Sequence, residues 1–172
     1  WDKVDVDLNA AWGSTDLRYS RSRVPEVIGE DMVRLVAWRG ERVSAQLLLW
    51  TADGVDGARC EVGEFRSEHA TLPAMIARTR FVRYTIADST FCKNGPTMLS
   101  ADMLDTLDRY DLSPRSVRPV WLTVAVPQDA KEGVYTSDVV VSCDDGNRVV
   151  LPLTLEGPSL SIVWGIPRRS TP

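Results

Sequence analysis

From Val120 to Val126 branched aliphatic residues alternate with others without a slip: Val120, Leu122, Val124 and Val126 fall on one parity, Trp121, Thr123 and Ala125 on the other. Successive side chains of an extended strand point to opposite faces, so this pattern predicts a strand with an aliphatic face turned to a core and Trp121 turned away from it. Pro127 closes the strand because it has no N–H for a ladder, and Gly133 opens a second strand reaching Val141. One strand, a turn that runs from Pro to Gly and a return strand are the working unit of an antiparallel sheet.

The same period recurs in Val4–Leu8, Val33–Val36, Arg42–Trp50 and Arg80–Ile86. Further strands are expected at Ala58–Phe65, Val117–Val126, Val134–Cys143 and Arg148–Glu156, separated by Gly, Asp, Asn and Pro clusters. Asp144-Asp145-Gly146-Asn147 reads as a hairpin turn, because Gly and Asn accept positive φ. Many short strands imply an all-β fold: a two-sheet antiparallel β-sandwich of immunoglobulin or galactose-binding-like type, with at most one short helix. The helical candidate is Ser100–Tyr110, where Ser100 could cap and Met103, Leu104 and Leu107 share a face; an exposed loop is the competing reading. Residues 87–99 lack a period and read as a long loop able to contact a neighbour. Residues 1–156 make the sandwich domain, and 157–172 a C-terminal tail, either a truncated linker or the end of a stand-alone form.

At 172 residues the chain can bury a core without disulfides or metal. With 26% charged residues and a net charge of −4, neither disorder nor a polyanion-binding surface is indicated, so nucleic acid is not an expected partner. No apolar run is long enough to span a membrane as a helix. Position 1 is Trp, which implies that a signal peptide or vector segment has been removed and points to a secreted, periplasmic or cell-surface protein. Cys60, Cys92 and Cys143 have neither disulfide-framework nor zinc spacing; Cys60 and Cys143 read as buried small hydrophobes, and a bridge from Cys92 to either stays open.

The run Pro-Val-Trp-Leu-Thr-Val-x-Val-Pro-x-Asp-Ala-Lys-x-Gly-x-Tyr at positions 119–135 resembles the N-terminal β-sandwich domain that precedes the catalytic barrel in glycoside hydrolase family 123. Ala37–Trp50 and Phe81-Val82-Arg83-Tyr84 resemble the same domain, and the three stretches occur in its order. The resemblance implies a non-catalytic accessory domain packed on a barrel of N-acetyl-β-galactosaminidase type, with a glycan as a further partner. Nothing in the chain matches the catalytic Asp-Glu pair of that barrel, so no catalytic residue is assigned, and no cofactor or metal is expected.

The residues that could carry chemistry here are few. His69, the only histidine, lies in Ser-Glu-His-Ala-Thr, a polar connection rather than a nucleophile elbow. Asp102, Asp105, Asp108 and Asp111 lack the order of a calcium loop and read as a solvated edge. No phosphate-binding glycine motif occurs. Six tryptophans invite a search for a sugar platform. Trp121 is expected to face outward beside Arg118; Trp50 ends an apolar run and suits core or inter-domain packing; Trp12 and Trp164 lie in terminal segments and suit disorder or crystal contact. Arg39, Arg42, Arg78, Arg80 and Arg83 gather near strand ends, where solvated faces are the ordinary outcome. The candidates for a carbohydrate or domain-interface site are therefore Trp121, Arg118, Trp50 and Arg83. Two rivals to the accessory role remain: an independent carbohydrate-binding module, and a structural or adhesion sandwich pairing through its edges.

Overall fold

The computed structural model describes residues 1–27, 31–88 and 97–157. In chain order the strands are β1 (Asn9–Gly13), β2 (Val33–Val36), β3 (Arg42–Thr51), β4 (Val55–Val62), β5 (Phe65–Arg66), β6 (Thr71–Leu72), β7 (Ala77–Asp88), β8 (Thr97–Leu104), β9 (Tyr110–Leu112), β10 (Ser116–Ala125), β11 (Gly133–Ser142) and β12 (Arg148–Gly157). A 3-10 turn at Ala74–Ile76 is the only helical element among the described residues. One sheet runs β1-β3-β10-β7-β8, the other β2-β12-β11-β4-β9 with β5 paired to β11 and β6 paired to β5. The two pack face to face as a sandwich. Among the described residues all ladders are antiparallel except β2 on β12.

Alternation decides which faces meet. Val120, Leu122 and Val124 of β10 stand beside Leu47, Ala45 and Val43 of β3. From the other sheet come Tyr135, Val139 and Val141 of β11 and Leu151, Leu153 and Leu155 of β12. Val120, Leu122, Val124 and Leu47 are wholly buried, and each such side chain removed from water contributes about 1.5–3 kcal/mol. The turn after β10 explains the motif at 127–135. Ala130 N–H returns to Pro127 O at 3.2 Å, Gly133 takes φ 147°, and buried Tyr135 donates its hydroxyl to Lys131 O at 2.7 Å. A buried phenol keeps its packing only when its O–H finds a partner, so the turn and the aromatic specify each other. The hairpin at 144–147 forms as expected, with Gly146 at φ 90°.

Three local expectations fail for a common reason: pairing, not period, makes a strand. Val4–Leu8 alternates but joins no ladder among the described residues; Asn9 Nδ2 instead gathers the carbonyls of Asp5 and Asp7 at 3.1 and 2.9 Å, and the strand begins only at Asn9, opposite Trp50. Ser100–Tyr110 is neither helix nor loop throughout, because β7 offers a ladder that Thr97–Leu104 joins as β8 and Tyr110 opens β9. Ala58–Phe65 breaks in two where Gly63, Glu64 and Phe65 oppose only Ser137 and Asp138, an extra residue that leaves β4 and β5 as separate strands. Trp12 is in the core, its indole N–H donating to Pro152 O at 3.0 Å, because β1 carries it under the sandwich. Residues 89–96 of the expected loop, Cys92 among them, and 158–172 of the expected tail with Trp164 lie outside the described residues. Among the described residues no helix is long and apolar enough to cross a membrane.

Candidate functional site

Strand β10 has two differently equipped faces. On the outer one Trp121 stands between Gln46 of β3 and Arg80 of β7. Residues 14–23 have no period of their own and lie across this face. They are pinned by Val117 N–H to Arg21 O at 2.7 Å, and by the buried Gln46 amide, whose Nε2 donates to Ser14 O at 2.6 Å and Leu17 O at 3.2 Å. A cleft of about 400 Å³ remains between this segment and the sheet, bordered by Trp121, Val82, Leu104, Leu17, Arg18 and Asp102. Trp121 is half-buried there.

Asp102 owes its place to a β-bulge. Tyr84 pairs with Ala101 and Arg83 with Met103, so Asp102 is the unpaired residue between them. In a regular strand Ala101 and Asp102 would point to opposite faces; the bulge lets both border the cleft. There an Asp102 oxygen accepts from Arg18 Nη2 at 3.0 Å, with the two side chains 51% and 68% exposed, so the pair stays open to solvent.

Arg118 has the opposite fate. It shares the parity of Val120 and turns inward, 7% exposed, its guanidinium 4.0 Å from the Tyr110 ring centre and 5.1 Å from that of Tyr84. The register carried on from Val120–Phe81 sets Pro119 opposite Val82. Proline has no N–H to offer; Arg118 Nη1 donates to Val82 O instead, at 2.9 Å. Its Nε has no partner, and burial holds the guanidinium below its ordinary pKa. Burial also pushes the Tyr84 phenol up to about 12 against the pull of Arg118 and Arg21. The phenol donates to Val117 O at 3.2 Å.

Arg83 closes the same end. Its Nε and Nη2 reach one Asp105 oxygen at 3.0 and 2.8 Å, while the other accepts from the N–H groups of Thr106 and Leu107 at 2.8 and 3.4 Å. Burial alone would raise the Asp105 carboxyl, but these donors together hold it below the usual carboxylate range. Of the four candidates, then, Arg118 and Arg83 sit together at one end of the sandwich in structural contacts. Trp121 and Trp50 share the outer face without meeting, for Trp50 pairs with Val117 near the start of β10. Sequence reasoning missed Arg18, which lies in a stretch with no periodic signal.

His69 is 76% exposed and faces only Glu68 at 3.8 Å. Asp102, Asp105 and Asp111 have separate partners: Arg18, Arg83 and the Gly57 N–H. Among the described residues no three His, Cys, Asp or Glu side chains gather as metal ligands. Cys60 and Cys143 are free thiols, each pushed up to about 12, by burial for Cys60 and by burial and the Asp145 carboxylate for Cys143, which keeps the nucleophilic thiolate scarce.

A second feature lies where the chain leaves β12. Glu156 pairs with Val36 on one side and Val134 on the other, and its carbonyl accepts the Ala37 N–H at 3.0 Å. Cross-strand partners share a face. Val36, Val134 and the adjoining Trp38 are 58%, 55% and 48% exposed, an apolar rim around the exit at Gly157.

The profile of the glycoside hydrolase 123 N-terminal domain matches residues 12–143. Among solved structures, a family 123 glycoside hydrolase from Clostridium perfringens, described for glycolipid glycan hydrolysis, superposes with TM-score 0.82 at 19% identity, covering 90% of this chain and 27% of that one. At that identity the likeness shows the fold, and this chain spans only about a quarter of that enzyme's length. The Bacillus subtilis sporulation control protein Spo0M aligns with TM-score 0.44 at 7% identity, covering 89% of this chain and 49% of its own. A Bacteroides ovatus GH5 xyloglucanase aligns with TM-score 0.38 at 13% identity, covering 91% and 20%. No curated protein matches the sequence.

Proposed function

The chain belongs to the glycoside hydrolase 123 N-terminal domain family, and from that membership we propose that it is a non-catalytic accessory domain that packs on and orients a catalytic barrel of the same parent protein, one of N-acetyl-β-galactosaminidase type. The observation that carries this reading is the apolar rim at the exit of β12. Strand β12 ends at Gly157 near exposed Val36, Trp38 and Val134, and exposed apolar side chains that include a large aromatic are the usual centre of a contact between folded bodies. Arg34 and Glu156 form an ion pair on the same face, Nε to carboxylate at 2.9 Å, with Glu156 between Val36 and Val134, and supply a polar element within that contact.

The test compares the parent protein with the isolated domain. Trp38→Ser should lower the thermal midpoint of the parent by about 2–4 °C and expose the segment after Gly157 to protease, yet leave the isolated domain nearly unchanged. Equal effects in both would sink the docking reading. The isolated domain should also release no nitrophenol from p-nitrophenyl N-acetyl-β-galactosaminide; turnover abolished by a substitution within the domain would overturn its non-catalytic role.

A further inference from the structure

We infer that the cleft on the outer face of the five-stranded sheet binds an uncharged hexopyranoside, with Trp121 as the stacking platform and the Arg18–Asp102 pair as the partner of its hydroxyls. Four observations converge on it. Its volume, about 400 Å³, lies in the lower part of the range of small-ligand sites. Its lining is one large aromatic ring, a few aliphatic side chains and a small polar set, the mixture that suits a sugar with one C–H-rich face and hydroxyls around its edge. Arg18 and Asp102 stand 3.0 Å apart and half or more exposed, so they offer a donor and an acceptor side by side, which two neighbouring hydroxyls can engage together. The wall is also fixed beforehand. Gln46, 5% exposed, holds the Ser14 and Leu17 carbonyls, and the bulge in β8 sets Asp102, so little ordering remains to oppose binding.

Charge selects among saccharides. Asp16 and Asp102 border the cleft against Arg18 alone, which disfavours a sugar carboxylate. A galactoside is a fitting probe, because its hydrogens at carbons 3, 4 and 5 lie on one face that an indole can stack on. This goes beyond docking on a barrel and uses different residues: the rim at Trp38, Val36 and Val134 surrounds the end of β12, and none of the three borders the cleft. Failure of either reading leaves the other standing.

The experiment is a titration of the isotope-labelled chain with methyl β-D-galactopyranoside, followed at the indole N–H of Trp121, which is assigned by its loss in Trp121→Phe. A saturable shift with Kd on the order of 1–10 mM is expected. Trp121→Ala should weaken binding, read from the remaining cleft amides, by about tenfold or more, and Arg18→Gln with Asp102→Asn by about three- to tenfold. Unchanged core methyl shifts show that these outer-face variants still fold. Three results would each overturn the proposal: no movement of the Trp121 signal up to about 50 mM sugar, affinity unaltered in the double variant, or tighter binding of methyl β-D-glucuronide than of the galactoside.

Discussion

Arg118 and Arg18 are the same side chain in two settings that meet the same strand. Arg118 is enclosed between the Tyr84 and Tyr110 rings and bound to Val82 O; Arg18 lies on the outer face with its partner, Asp102, open to water. An enclosed guanidinium cannot change partners without a large desolvation cost. An exposed ion pair is worth little to stability and exchanges its bonds readily with an arriving ligand. Polar residues inside the sandwich therefore hold it together, and those on the outer face of β10 are the ones free to act.

Substitutions along β10 sharpen this contrast, and the largest effect should come from its inner face. Leu122→Ala removes a wholly buried side chain and should cost about 2–5 kcal/mol in urea unfolding. A loss below about 1 kcal/mol would mean that the inner face is not a packed core. Arg118→Ala leaves Val82 O unpaired and opens the gap between two rings, for about 2–3 kcal/mol; an unchanged midpoint would erase the distinction between the two arginines. Tyr135→Phe keeps the ring and loses only the bond to Lys131 O, so about 1 kcal/mol is expected. Trp121→Ala, beside Leu122 in sequence but outside the core, should cost about 1 kcal/mol or less while weakening the sugar response by about tenfold or more. Should it match Leu122→Ala, the outer face is part of the structural interior and the comparison collapses.

Acid supplies a further test. The folded state holds the Asp105 carboxyl below its unfolded value, so its contribution is fully present above the unfolded carboxylate pKa, about 3.9, and is lost as pH falls through the lower folded value. Asp105→Asn should flatten that part of the stability-against-pH curve. A curve as steep as that of the parent would show that other carboxylates set the acid transition.

Strand parity was legible wherever a strand had neighbours. The inward aliphatics and outward Trp121 of β10, the turn at Asp144–Asn147 and the long strands β3, β7, β11 and β12 all followed from alternation and turn chemistry. Where a period lacked a partner, or a partner recruited a segment without one, legibility stopped, as at Val4–Leu8 and Thr97–Leu104. The candidate cleft was half legible. Trp121 announced itself by being out of phase, whereas Arg18 sits in a segment without pattern and Asp102 looked like one member of an acidic row.

What the chain carries in its own order is local: which side of each strand is apolar, where proline and glycine force a turn, and the succession of motifs that marks its family. Which strands meet, how a bulge redirects Asp102, that Val82 O accepts from Arg118 where Pro119 has no N–H to give, and how residues 14–23 come to lie over the outer face were decided only by tertiary structure. The physical reason is that hydrogen-bond partners distant in sequence determine where a polar side chain is satisfied, and no periodicity in one segment records the identity of its neighbour.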